Sequence, residues 1–128
     1  MTDKKQILLV DDDPDFVEAV RVIVESVGYD VQVAYDGQEG LEAVAENKPD
    51  LIVLDVMMPV MNGHEACAKL KGDDATKEIP IILLTAVADR VTTSTYTHRD
   101  MLESEAEDYM PKPVEPQELL ERIKSWLQ

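Results

Sequence analysis

One cysteine, Cys67, occurs in 128 residues, and it has no second thiol to pair with. Its best use is packing. With only two histidines, His64 and His98, no Cys/His spacing for zinc exists either, and a reducing compartment, the cytoplasm, is expected. Aromatic residues make up 5% of the chain, so any core must be built from Val, Leu, Ile and Met. Basic residues are scarce: twelve Lys and Arg against twenty-seven Asp and Glu leave a net charge of −15. With no basic patch to offset that charge, neither nucleic acid nor a membrane is expected as a partner. The apolar run Ile7–Val10 near the amino terminus is too short for a signal peptide or a membrane span. No repeat or low-complexity tract appears, and the length suits one domain over residues 1–128 with no output domain.

What is present is an alternation of short apolar runs with helical patterns. Leu51, Ile52, Val53 and Leu54 show no polar alternation, as in a central parallel strand covered on both faces, and Asp55 stands at its end. Ile7–Val10 is a second such strand, stopped by Asp11, Asp12 and Asp13, with Asp13 as N-cap and Pro14 at the first helical position. Phe16, Val20, Ile23, Val24 and Val27 form one helical face, which Gly28 closes. Val31 and Val33 alternate with polar neighbours and read as an edge strand. Asp36 and Glu39 resemble a capping pair for a helix with Leu41, Val44 and Ala45 on its inner face. Asn62 can cap a short helix over 63–71 that buries Ala66, Cys67 and Leu70. A fourth strand runs over 79–84 and ends in Thr85 and Ala86. The stretch 87–107 reads as a loop plus a helix. Tyr109 and Met110 make a short last strand, and Leu119, Leu120, Ile123, Trp126 and Leu127 recur at helical spacing. Strands alternating with helices predict an α/β fold, a doubly wound five-stranded parallel sheet in the flavodoxin-like order 2-1-3-4-5.

That order brings Asp11 and Asp12, Asp55, Thr85 and Lys112, each at the carboxyl end of a different strand, to one rim. Three carboxylates brought together repel unless a hard divalent cation sits among them, and an oxygen-only ligand set suits Mg²⁺. A cation, a lysine and a hydroxyl around one carboxylate are the parts needed for phosphoryl transfer, with Asp55 as nucleophile giving an aspartyl phosphate.

Four segments carry a resemblance over the whole chain: ILLVDDDP at 7–14, LIVLDVMMPVMNG at 51–63, IPIILLTA at 79–86 and DYMPKP at 108–113. In this order and spacing the sequence resembles a response-regulator receiver domain of two-component signalling, of the single-domain, chemotaxis-regulator-like kind. The resemblance implies that Asp55 is the phosphoacceptor. It also implies that Asp12, Asp55 and the Met57 carbonyl hold Mg²⁺, with Asp11 acting on the metal through water. Thr85 and the Ala86 amide would contact phosphoryl oxygens and Lys112 would pair with the phosphate. Thr85 and Tyr109 would be the switch pair, although Tyr109 read from the residues alone is equally an edge-strand core residue. The Lys112–Pro113 peptide would be cis, aiming the lysine. The implied donor is a sensor histidine kinase or a histidine phosphotransfer protein. The implied target is a downstream protein met by the face of the fourth helix, fifth strand and fifth helix. Such a domain is not an enzyme beyond catalysing its own phosphorylation and dephosphorylation.

Two features depart from the family pattern. The interval from Thr85 to Lys112 is a few positions longer than usual, around a Thr-rich stretch, which points to tailored partner choice. Ser104 and Glu105 replace the common small pair before the last strand. Met57 and Val87 stand two past Asp55 and Thr85, and neither can orient an attacking water, so slow phosphate loss is expected. A Mg²⁺-dependent phosphatase of the haloacid dehalogenase type is the enzyme alternative, but it wants a second Asp where Met57 stands. A pseudo-receiver that only binds partners is disfavoured by the intact acidic trio with Thr85 and Lys112.

Overall fold

A computed structural model describes residues 4–56, 63–85 and 106–127. Along the chain run β1 (Gln6–Val10), α1 (Pro14–Ser26), β2 (Asp30–Ala34), α2 (Gly37–Glu46) and β3 (Leu51–Asp55). They are followed by α3 (Gly63–Lys71), β4 (Ile81–Thr85), β5 (Asp108–Pro111) and a C-terminal helix, α4 (Pro116–Leu127). The strands form one sheet in the order β2-β1-β3-β4-β5, every neighbouring pair parallel. The alternating strand β2 and the short β5 take the edges, where one less protected side is tolerable.

Side-chain alternation along each inner strand divides the core in two. Ile7 and Leu9, Leu51 and Val53, Ile82 and Leu84 face Val17, Val20 and Val24 of α1 and Leu119, Leu120 and Ile123 of α4. Leu8 and Val10, Ile52 and Leu54, Ile81 and Leu83 face Val44 of α2 and Ala66, Cys67 and Leu70 of α3. Both faces of β3 and β4 are therefore apolar, which is why their sequences lack alternation. Asp13 caps α1 as its sequence predicts, its carboxylate accepting from the Asp15 and Phe16 amides.

Several expectations shift in detail. Val27 is 49% exposed and Val17 takes the buried place, because α1 ends at Ser26 and Gly28, at φ 101°, turns the chain away. Ala45 is exposed, and the buried positions of α2 are Gly37, Gly40 and Val44. Asp36 accepts from the Glu39 amide, but the Glu39 carboxylate accepts from Tyr35, one residue before the cap. The fourth strand starts at Ile81, since Pro80 has no amide hydrogen for the ladder. Expectations resting on Met57, Pro59, Asn62, Ala86, Val87, the Thr-rich stretch, Ser104 and Glu105 lie outside the described residues.

Candidate functional site

Strand register places the site. Val10 is abreast of Leu54, so the residues that follow them, Asp11 and Asp55, emerge side by side where the strand order reverses. Asp55 itself is abreast of Leu84, which puts Thr85 one step beyond it, and Thr85 is abreast of Pro111, which puts Lys112 one step beyond that. Residues from opposite ends of the sequence thus meet through backbone pairing alone.

Asp11 is buried at 0% exposure, its amide donating to the Ala34 carbonyl at 3.1 Å and its Oδ1 accepting from the Asp13 amide at 3.0 Å. Asp55 is 2% exposed. The Lys112 ammonium lies between the two carboxylates, 3.2 Å from Asp11 Oδ2 and 3.1 Å from Asp55 Oδ1. It also lies over the Phe16 ring, 5.6 Å from the centroid. The Lys112 amide donates to the Thr85 carbonyl at 2.6 Å, and the Lys112–Pro113 peptide is cis. Carboxylate oxygens of Asp11, Asp12 and Asp55 all fall within 4.8 Å of one another, with Asp12 exposed and the other two buried. Thr85 is buried, and its hydroxyl has no hydrogen-bond partner among the described residues. Tyr109 sits abreast of Leu83, partly buried against the α2/α3 side of the core.

Electrostatics follow from this burial. Desolvation pushes the Asp11 carboxyl above its ordinary value; the Asp13 amide and Lys112 pull it down, and the neighbouring Asp12 adds to the rise. Burial alone would lower the Lys112 ammonium, but Asp55 and Asp11 outweigh it and hold the group above its usual value. Among the described residues, the Lys112 ammonium lies against the two buried carboxylates of this acidic trio. The donor set is all oxygen, partly open at Asp12 and in net excess of negative charge, which fits a hard divalent cation.

Two contributors escape a reading of the sequence. Gly63 opens α3 so close to the end of β3 that a Cβ there would lie 2.5 Å from the Asp55 carbonyl oxygen and 2.9 Å from Val56 Cα. Its amide donates to the Val56 carbonyl at 3.0 Å, pinning the helix to the site. Phe16 reads as one more apolar position of α1, and nothing local indicates that its ring meets Lys112.

Residues 7–124 match the response regulator receiver domain family. The chain belongs to that family. The receiver is 40% identical over 126 residues to the DNA-binding response regulator MtrA of Mycolicibacterium smegmatis, covering 98% of this chain and 52% of MtrA. It is 37% identical over 125 residues to the DNA-binding dual master transcriptional regulator RpaA of Synechocystis, covering 95% of this chain and 48% of RpaA. It thus spans about half the length of these relatives. Among solved structures, the receiver domain of a signal transduction histidine kinase from Syntrophus aciditrophicus superimposes with a TM-score of 0.87 at 34% identity. That match covers 96% of this chain and 89% of the other. The chemotaxis response regulator CheY4 of Vibrio cholerae gives 0.84 at 28% identity, covering 96% and 98%. The receiver is thus a signalling domain and not a conventional enzyme.

These relatives correct one expectation. On the acidic composition nucleic acid is not expected as a partner, whereas the half-covered relatives MtrA and RpaA are DNA-binding regulators. The net charge of −15 is a sum over these 128 residues and speaks only to the surface they present. No helix among the described residues is long and apolar enough to cross a membrane.

Proposed function

We propose that this receiver takes a phosphoryl group from a phosphohistidine donor onto Asp55, in a Mg²⁺-dependent reaction, and thereby changes the surface it presents to a partner. The observation that carries this reading is the placement of Asp55: a buried carboxylate ending the central strand, 3.1 Å from a lysine and within 4.8 Å of two further carboxylates. Asp11, Asp12 and Asp55 would hold the cation, with the Met57 carbonyl, outside the described residues, as a further ligand. When bound, Mg²⁺ neutralises charge on the phosphoryl oxygens and on the acidic cluster.

The chain's own residues do the rest. An Asp55 oxygen forms the new bond to phosphorus as the bond to the donor imidazole nitrogen breaks, and the imidazole carries the leaving electron pair. Lys112, already against Asp55, pairs with a phosphoryl oxygen as charge develops there. Thr85 has a buried hydroxyl with no partner among the described residues, able to donate to another, and Thr85 and Tyr109 together would report the phosphorylated state. The same residues reversed toward water give self-catalysed dephosphorylation. The cytoplasm is the working compartment. The names of the half-covered relatives point to nucleic acid as the eventual partner of the whole protein, contacted by residues other than this acidic exterior.

Exposure of wild type and Asp55→Asn to a small phosphodonor, with and without Mg²⁺, tests the reading by intact mass. A base-labile phosphoryl adduct is expected only in wild type and only with Mg²⁺. An equal adduct in Asp55→Asn would refute the assignment.

A further inference from the structure

The Lys112 ammonium forms ion pairs with Asp11 Oδ2 at 3.2 Å and Asp55 Oδ1 at 3.1 Å. It also lies over the Phe16 ring, 5.6 Å from the centroid, within the range of about 6 Å in which a cation feels the negative face of an aromatic quadrupole. The ring is not free to drift. Asp11 Oδ1 accepts from the Asp13 amide, and the Asp13 carboxylate accepts from the Phe16 amide at 3.4 Å. One turn therefore fixes both an acid that attracts the lysine and the backbone that carries the flanking ring. Phe16 also packs against the α1/α4 side of the core, which anchors its side chain. We propose that Phe16 is a positioning residue. Its ring face holds the Lys112 ammonium between Asp11 and Asp55 before any phosphoryl group arrives, so that the lysine need not be recruited during transfer.

This rests on the phosphoryl-transfer reading for its consequence but not for the contact itself. A plain packing role would be met by any apolar side chain of similar volume; a cation–π role needs electron density on the ring face. The gain from such a contact, once partly desolvated, corresponds to about threefold to tenfold in an equilibrium or rate constant.

Two measurements separate the cases. The first is a double-mutant cycle on the folding equilibrium constant, without Mg²⁺ or phosphodonor, using Phe16→Leu, Lys112→Met and the pair. Phe16→Leu is expected to cost about threefold or more beyond its effect in the Lys112→Met background. The second replaces Phe16 by phenylalanines of increasing ring fluorination, which keep size and drain the ring face. The phosphorylation rate at saturating phosphodonor should fall stepwise with fluorine count, Phe16→Trp should retain it, and Lys112→Met should erase the dependence. Coupling in the cycle supports the proposal even if wild type takes no phosphate, a result that would sink the functional reading alone. Additive effects in the cycle, or a rate indifferent to fluorination in a wild type that does accept phosphate, would overturn it.

Discussion

Replacing Lys112 by Met keeps an apolar stem beside Phe16 while removing the ammonium that lies between two buried carboxylates. At an effective dielectric of about 20, unit charges at 3.1 and 3.2 Å attract by about 5 kcal/mol each, before the cost of desolvating the lysine. Leaving a buried charge uncompensated typically costs 3–5 kcal/mol; the Lys112 side chain is 30% exposed, so about 3 kcal/mol is expected at neutral pH without divalent cations. With a urea slope of roughly 1.5 kcal/mol/M that is a midpoint lowered by about 2 M. The pH dependence has a definite sign. A carboxyl raised in the folded state binds its proton more readily there than when unfolded, so its ionisation destabilises, and the penalty fades as pH falls through the folded value and is gone below the unfolded one. Asp11 is already raised by burial, and losing Lys112 removes two of the influences that lower it. The deficit of Lys112→Met against wild type should therefore shrink from pH 7.5 towards the ordinary carboxylate range. The lysine's own contribution, raised above its usual value, persists through neutrality and fades only in alkali. Millimolar Mg²⁺ should narrow the gap at pH 7.5, because a second cation then compensates Asp11 and Asp55. Urea titrations at two pH values, in EDTA and in MgCl₂, decide the matter. A deficit unchanged by both pH and Mg²⁺ would mean that the lysine matters for packing and not for charge.

Gly63→Ala should destabilise by about 1–3 kcal/mol, because the added methyl meets backbone atoms of Asp55 and Val56 that cannot swing aside. The same displacement should slow phosphorylation; a variant matching wild type in urea midpoint and in rate would contradict the close approach. Thr85→Val should leave stability within about 0.5 kcal/mol, since its hydroxyl has no partner to lose among the described residues, yet cut the phosphorylation rate by roughly a hundredfold. Equal rates would remove Thr85 from the reaction. Lys71→Met should cost about 3 kcal/mol: that side chain is 5% exposed, and its ammonium holds the Lys77 and Ile79 carbonyls and the Glu107 carboxylate at 2.7 Å. Thermal denaturation that does not move would show the clasp to be worth nothing.

How much could be read without coordinates depends on how local the cause is. Burial of β3 on both faces is written into Leu51–Leu54 because each residue there needs an apolar neighbour whichever way it points. The α1 start is written into Asp13 and Pro14, whose effects reach only one turn. The acidic residues, Thr85 and Lys112 are legible as a set because each stands at or just past the carboxyl end of a strand, and parallel strands bring such ends to one rim. Lys71 was invisible as a buried group, since a lysine closing a short helix reads as solvent-facing until Glu107 and two carbonyls are folded over it.

Periodicity, caps and strand ends are short-range quantities, so the sequence by itself determined the fold class and the strand order and named candidates for the site. Which atoms then touch is a long-range quantity. The register of β1 on β3 and of β4 on β5 sets Asp11, Asp55 and Lys112 within about one hydrogen-bond length. The angle at which α1 leaves its cap brings Phe16 to that lysine, and the docking of α3 leaves no room for a side chain at Gly63. Only tertiary structure decides these contacts, because each depends on where a distant backbone has come to rest.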